Sequence, residues 1–378
     1  MISFNSCCGV SMGKYTQKFV DSIRATKAPN FYREPYQSYM TATEWRNVEM
    51  ARELAQHLSD GKSLFHFPYF RQIVGIWRVT YNAYRASRQY HSPWQILTSE
   101  YGVMDAFVAF FSTLEYLPKG LISLGLAPFL KRQNNTEMQA ALASYVSKYA
   151  NGLETVPFYD SPYAEDRLSL KRAYQQATTH TWTDWLSWKL MSTELFVRRW
   201  ISYPLSYWFH SDSNVVSPTT EVIVKYKVGA INEDDAKLAF AMQLGHLEET
   251  QAAIVGDDLY ARVKSGSLYY VYARLSVSRY KAFQETLQAL DNEGISLRRI
   301  AGQDHVQVKC LVDEADTNIL TTKIEKMAST TNSKYLYRYT NDVTPGRHFC
   351  FFDVPTKKLA ETVRALEADC EVSFIHNF

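Results

Sequence analysis

The stretch SLYYVYARLSVSRYKAFQETLQALDNEGISLRRI, residues 267–300, decides the fold of the C-terminal part of the chain. Its first ten residues are rich in aromatic and β-branched side chains and predict a strand, 278–294 have helical spacing, and 295–300 predict a second strand. A strand, a helix and another strand are then predicted at 305–313, 315–330 and 334–340. Short strands and helices therefore alternate through this region.

The element order of 267–340 is βαββαβ, which is the ferredoxin-like order. Strand, helix and strand patterns follow at 347–354, 355–368 and 370–378, and 221–264 resembles an incomplete copy of the same unit. We therefore predict a ferredoxin-like α/β sandwich domain at 221–378, built as one domain or as two units at 221–266 and 267–378. The sequence leaves the pairing of these strands open.

Residues 41–210 have a different pattern and predict an aromatic-rich helical domain. Thr41 lies three residues before Glu44, the spacing of a capping box, and predicts a helix start. Further helices are predicted at 137–150 and from 164 to about 203, with a break at Pro204. All eight tryptophans lie at or before residue 208. The polar stretch at 211–220 is the predicted linker, 1–40 is an N-terminal extension, and the fold class is α+β.

Charge and composition restrict the classes of function. Residues 1–210 carry 22 Lys and Arg against 16 Asp and Glu, a modest excess that favours anionic surfaces but is too small for a typical nucleic-acid binder. The five cysteines include no C-x-x-C pair, and dinucleotide, phosphate-loop and zinc-protease motifs are absent from the sequence. We therefore expect no nucleic acid, cofactor or metal, and a cytoplasmic protein that lies at a membrane surface or free of it.

Residues 103–130 are the most apolar region. Asp105, Glu115 and Lys119 interrupt it, so an ordinary membrane span of roughly 20 apolar residues is not predicted. Two short arms around a turn at Pro118 are expected instead, either as a buried hairpin or as a shallow insertion into lipid. Asp105 and Glu115 are weak candidates for a catalytic acid, because carboxylates among apolar residues often have shifted pKa values.

The remaining signal is a set of basic and aromatic side chains. Arg71, Arg78 and Arg85 recur every seven residues and predict one basic row on a helix. The predicted membrane or partner surface comprises Arg71, Arg78, Arg85, Lys119, Trp182, Trp185, Trp188, Arg198, Arg199 and Trp200. Tryptophan favours the membrane interface, and arginine can meet lipid phosphates.

Two hypotheses of function follow. The first is a non-enzymatic protein whose helical half docks on an anionic membrane, a membrane protein complex or a partner protein, while its α/β half binds a partner or a ligand. The alternative is an enzyme that acts on a lipid or another apolar substrate with a buried carboxylate of the helical domain.

Overall fold

A computed structural model describes residues 14–25, 41–154, 156, 158–209, 219–247, 252–279, 281–341, 344 and 346–376. The predicted extension at 1–40 is described only at 14–25, and the predicted linker only at 219–220. The rest of both lies outside the described residues. Helices precede antiparallel sheets along the chain, so the predicted mixed helical and sheet class, with the helical part first, is confirmed.

The helical part has the following helices: α1 (Lys14–Ala25), α2 (Ala42–Ser59), α3 (Tyr69–Ser87), α4 (Pro93–Leu97), α5 (Glu100–Leu126), α6 (Glu137–Gly152), α7 (Tyr163–Gln176) and α8 (Trp182–Phe209). Its main core lies between α2, α3, α5, α6 and α8, where aliphatic side chains such as Leu54, Ile76, Leu142 and Leu195 are fully buried.

The start of α2 differs from the prediction. Thr41 does precede the helix, but its side chain makes no capping bond, so the predicted capping box is wrong. Thr41 has helical backbone angles, and its hydroxyl is instead 2.7 Å from Nδ1 of His376 in the last described strand. A tertiary hydrogen bond has replaced the local one.

Two prolines that were expected to break helices lie inside them. α5 is one helix through Pro118, so the predicted pair of short arms is wrong. Its start is fixed by Ser99, whose hydroxyl accepts a hydrogen bond from the amide of Gly102 at 3.0 Å. Packing on both sides of Pro118 outweighs the missing hydrogen bond, since Tyr116 and Lys119 are both buried.

The long helix predicted from residue 164 is two helices in the structure. α7 ends at Gln176, and α8 begins after Thr181, whose hydroxyl caps the amide of Asp184 while the Asp184 carboxylate accepts from the amide of Thr181. α8 then continues through Pro204 to Phe209, so the predicted break there is wrong as well.

The C-terminal part contains β1 (Thr219–Gly229), α9 (Glu233–Gly245), β2 (Ala253–Ser265), β3 (Leu268–Ser278), α10 (Lys281–Asn292), β4 (Ser296–Ile300), β5 (His305–Asp313), α11 (Thr317–Thr331), β6 (Lys334–Thr340), β7 (Arg347–Pro355), α12 (Leu359–Glu367) and β8 (Glu371–His376). One antiparallel sheet has the order β2-β3-β1-β4, and the other has the order β6-β7-β5-β8.

The sheet boundary corrects the predicted units. β3 and β4 belong to the first sheet, whereas β5 and β6 belong to the second. A unit beginning at residue 267 is therefore wrong, and the boundary falls between Ile300 and His305. The physical reason is pairing, since β3 aligns with β1 over the whole of 219–229, and element order alone does not show such long-range pairing.

The second sheet lies between two helical layers. On one side α11 and α12 share a continuous apolar core with α10 and the first sheet, through residues such as Leu287, Leu320 and Leu366. On the other side, Phe351 packs with Val79 of α3. A buried ion pair also joins the halves, with the Lys309 ammonium of β5 at 2.5 Å from the Glu49 carboxylate of α2.

Candidate functional site

One side of α5 carries large apolar side chains that no described element covers. At about 100° per residue, these side chains fall within about 80° of arc, and each is between 40% and 69% exposed: Val103, Phe110, Leu114, Leu117, Leu121 and Leu124. Monomeric proteins rarely expose contiguous apolar patches above a few hundred Å² without a role in binding. We call this row the α5 stripe.

α3 extends the α5 stripe on one side. Its exposed side chains Phe70, Val74, Trp77 and Tyr81 also share one face. The Trp77 indole donates a hydrogen bond to the Thr113 hydroxyl of α5 at 2.9 Å, and the Phe70 ring lies beside Gly120, where an added Cβ would be 3.0 Å from it. The two rows therefore adjoin.

The predicted basic row borders this surface. Arg71, Arg78 and Arg85 are all exposed on α3. They lie roughly 60 to 100° around the helix from Phe70, on the side away from α5. An edge of positive charge thus runs along an apolar and aromatic face.

α8 has its own exposed aromatic row. At about 100° per residue, these side chains fall within about 60° of arc, with exposures from 48% to 78%: Trp182, Trp185, Phe196, Trp200, Tyr203 and Tyr207. We call this row the α8 stripe. Together with α3 and the α5 stripe it forms the exposed surface that we term the apolar face.

A cavity of about 360 Å³ lies between α5 and α8. Its walls are mostly apolar and include Phe107, Phe111 and Ile201. Leu114 and Val197 line it as well, and both are also exposed to solvent. The cavity therefore opens onto the apolar face.

Four charged side chains bridge α5 and α8 inside this cavity. Arg198 holds the Glu115 carboxylate through two hydrogen bonds of 3.0 and 2.9 Å, and it also reaches Glu194 at 2.7 Å. Lys119 lies 2.5 Å from Glu194 and 3.2 Å from Glu115. The Arg198 guanidinium stacks 4.3 Å from the ring centre of Tyr149. We call these four residues the ion cluster.

The two carboxylates of the ion cluster have opposite pKa shifts. Burial disfavours the charge on Glu115, but Arg198 and Lys119 outweigh burial and lower its pKa to about 2. Burial raises the pKa of Glu194, with the charge of Glu115 adding to the effect and Arg198 opposing it. Each carboxylate nonetheless contacts two cations, so neither is available as an unpaired base.

The structure separates the predicted surface residues into two groups. Arg71, Arg78, Arg85, Trp182, Trp185, Arg199 and Trp200 are exposed. Lys119 and Arg198 point inward to the ion cluster, and Trp188 is half-buried and stacks on Tyr174 with ring centres 4.8 Å apart. The last three were expected on the surface. The carboxylates of Glu115 and Glu194 hold Lys119 and Arg198 inside, whereas Trp188 packs on the Tyr174 ring of α7.

The two candidate acids lie in different places. Glu115 lines the cavity, whereas Asp105 lies outside its lining, about 80° around α5 from Glu115, and is buried near Tyr337 of β6. Neither carboxylate oxygen of Asp105 makes a hydrogen bond of good geometry among the described residues. Burial raises the pKa of Asp105 well above the usual range, and the nearby Thr43 hydroxyl only partly opposes this shift. Asp105 and Glu115 therefore do not form a common site.

Sequence reasoning missed Glu194, the fourth member of the ion cluster. A signal was present, because Glu115 precedes Lys119 by four residues and Glu194 precedes Arg198 by the same spacing. Acid and base at this spacing share one side of a helix. Two such pairs on two apolar helices indicate a charged contact between them.

Comparisons with known proteins indicate no function for this chain. Within the described residues, no group of three or more His, Cys, Asp or Glu side chains could hold a metal ion, and no helix is long and apolar enough to cross a bilayer. No protein-family model and no curated protein matches the chain. The crystal structure of an unknown protein from Galdieria sulphuraria aligns over 41% of this chain and 97% of its own, with 12% identity and a TM-score of 0.15, which carries no argument.

Proposed function

We propose that this protein is a non-enzymatic docking protein whose helical half lies on an anionic membrane surface. One observation carries the proposal: α3, α5 and α8 expose a common apolar face, and arginines border it. Insertion of such a face to the level of the lipid headgroups would bury its side chains, and the arginines would contact lipid phosphates.

The composition of the apolar face favours lipid over a protein partner. Its edges carry Trp77 and Trp200 together with Tyr81, Tyr203 and Tyr207, and such amphipathic rings concentrate at the boundary between headgroups and acyl chains. The α5 stripe between them is aliphatic apart from Phe110. A protein interface would be the competing occupant, and the experiment below distinguishes the two.

The alternative of an enzyme acting on an apolar substrate has weaker support. The cavity beside Glu115 could hold such a substrate, but its two carboxylates are each held by Arg198 and Lys119. Asp105, the other candidate acid, lies outside the cavity lining. Binding without catalysis fits this arrangement better than proton transfer does.

We infer that the C-terminal half consists of two ferredoxin-like units that present a partner- or ligand-binding surface. The support for this arrangement is the βαββαβ order of each sheet with its helices and the order in which the strands pair. Leu238 and Met242, one turn apart on α9, are each more than half exposed, as is Ile231, two residues before the helix begins. This smaller apolar patch is the surface we assign to a partner protein.

Co-sedimentation with vesicles tests the membrane proposal. Full-length protein should pellet with vesicles rich in phosphatidylserine, less so with added salt, and poorly with phosphatidylcholine alone. The triple variant Arg71→Glu, Arg78→Glu, Arg85→Glu should lose most of this binding. The matched control Lys326→Glu, Lys357→Glu, Lys358→Glu makes the same change of charge at exposed positions of the other half and should bind normally.

Two results would contradict the proposal. Equal loss in both triple variants would mean that net charge, not the arginine row, governs binding. If the wild-type protein does not pellet with vesicles, the apolar face would bind a protein partner instead of lipid. Crosslinking from that face would then identify the partner.

A further inference from the structure

We propose that the cavity between α5 and α8 binds a single-chain anionic amphiphile, of which a long-chain fatty acid is the simplest example. This inference deepens the proposed membrane role and rests on it for the source of the ligand. The binding itself is a separate property of the cavity and can be measured without a membrane.

The volume and the opening of the cavity suit one acyl chain. Its volume of about 360 Å³ lies at the small end of ligand pockets, which span about 300 to 1,000 Å³. Two exposed lining residues, Leu114 and Val197, place its opening on the apolar face. A chain could therefore pass from a lipid layer into the cavity without crossing water.

The ion cluster shows that the two ends of the cavity differ. Glu115 pairs with Arg198 and Lys119 pairs with Glu194, so the two helices run antiparallel here. Lys189, which precedes Glu194 on α8, then lies towards one end, and Phe107, Phe111 and Ile201 lie towards the other. The cavity has a charged end and an apolar end.

The charge of the lining favours an anionic headgroup. Three lining cations, Lys119, Lys189 and Arg198, face two carboxylates, Glu115 and Glu194. The four members of the ion cluster offset one another, so Lys189 supplies the excess positive charge, and its side chain is exposed. A ligand carboxylate beside Lys189 would balance the charge of the lining, while its chain lies against Phe107, Phe111 and Ile201.

Displacement of a fluorescent fatty-acid analogue from the full-length protein, without vesicles or detergent, is the first measurement. Unlabelled oleate should compete with saturable, one-to-one binding, and oleyl alcohol, which has the same chain without the charge, should compete at least about tenfold more weakly. Absence of saturable binding, or equal competition by the alcohol, would overturn the proposal.

Variants locate the site. Val197→Trp should fill the opening and weaken oleate binding by about tenfold or more, whereas Phe196→Trp changes the adjacent residue, which is exposed outside the cavity lining, and should bind as the wild type does. Lys189→Gln should weaken oleate but not oleyl alcohol. Equal effects of the two Trp variants would overturn the assignment to this cavity.

The triple arginine variant separates this inference from the proposed function. Arg71, Arg78 and Arg85 are absent from the cavity lining, so their replacement by Glu should remove most vesicle binding and leave oleate affinity within about twofold. In the wild-type protein, oleate binding without vesicle binding would contradict only the membrane proposal. Vesicle binding with no oleate binding would sink only the cavity proposal.

Discussion

Replacing Lys309 with Met should destabilise the contact between the helical half and the second sheet. Lys309 and Glu49 have side chains only 1% and 2% exposed, and their charged atoms are 2.5 Å apart. Burial lowers the pKa of Lys309, and the carboxylate of Glu49 opposes this shift. Without the ammonium, Glu49 would remain buried as an anion with less compensation.

The size of the expected loss in stability depends on the contacts that Glu49 retains in the variant. Removing one partner of a buried ion pair costs about 3 to 5 kcal/mol. Glu49 still accepts a hydrogen bond from the Tyr339 hydroxyl and has Arg46 at 3.6 Å, so we expect the lower end, about 3 kcal/mol.

Urea unfolding monitored by circular dichroism would measure this loss. Adding Glu49→Gln to Lys309→Met should restore part of it, because the orphaned charge is removed, with a coupling energy of about 1 to 3 kcal/mol. Lys334→Met, at an exposed end of β6, is the control and should change stability by less than about 0.5 kcal/mol. A Lys309→Met effect as small as that of the control would refute the reasoning.

Three further predictions concern single side chains. Asp105→Asn should stabilise the protein at pH 7 by about 1 to 3 kcal/mol. The pKa of Asp105 is higher in the folded than in the unfolded protein, so this carboxyl group lowers the folding stability as pH rises from the unfolded pKa through the folded pKa. A lower melting temperature of the variant at pH 7 would contradict this prediction. Burial lowers the pKa of His57, so stability should fall as pH drops from 6.5 towards the folded pKa, and His57→Gln should flatten that dependence in urea titrations across this range. Lys119→Met should lower the free energy of unfolding in urea by about 3 kcal/mol, because two buried carboxylates would then share Arg198 alone. Arg199→Met, on the exposed side of α8, should lower it by less than about 0.5 kcal/mol. Similar losses in the two variants would contradict the stabilising role of the ion cluster.

Local patterns predicted the kinds of element well. The helix at 137–150 and the strands of the C-terminal part were visible because apolar periodicity and turn residues act over a few positions. The sheet boundary was not visible, since β3 pairs with β1 across about forty residues, and element order permits several pairings. Pro118 and Pro204 were wrongly predicted to interrupt helices, because tertiary packing of α5 and α8 outweighs the one hydrogen bond that each proline removes.

The candidate site was predictable where it depends on one helix. The seven-residue spacing of Arg71, Arg78 and Arg85 predicted that they share one exposed side of a helix, and the structure has them there. The ion cluster depends on two helices that are distant in sequence, so Lys119 and Arg198 were assigned to the surface, while they meet Glu194 and Glu115 inside. Charge alone does not show whether a side chain has a buried partner.

Quenching of tryptophan fluorescence by brominated lipids tests the central claim, docking through the apolar face, most directly. Anionic vesicles with brominated acyl chains should quench the wild-type protein, because Trp77 and Trp200 are 43% and 75% exposed on that face. The variant Trp77→Phe, Trp200→Phe should lose much of the quenching. Trp188→Phe, which removes a half-buried ring stacked on Tyr174, should retain it. No quenching of the wild type despite vesicle binding, or equal loss in both variants, would contradict docking through this face.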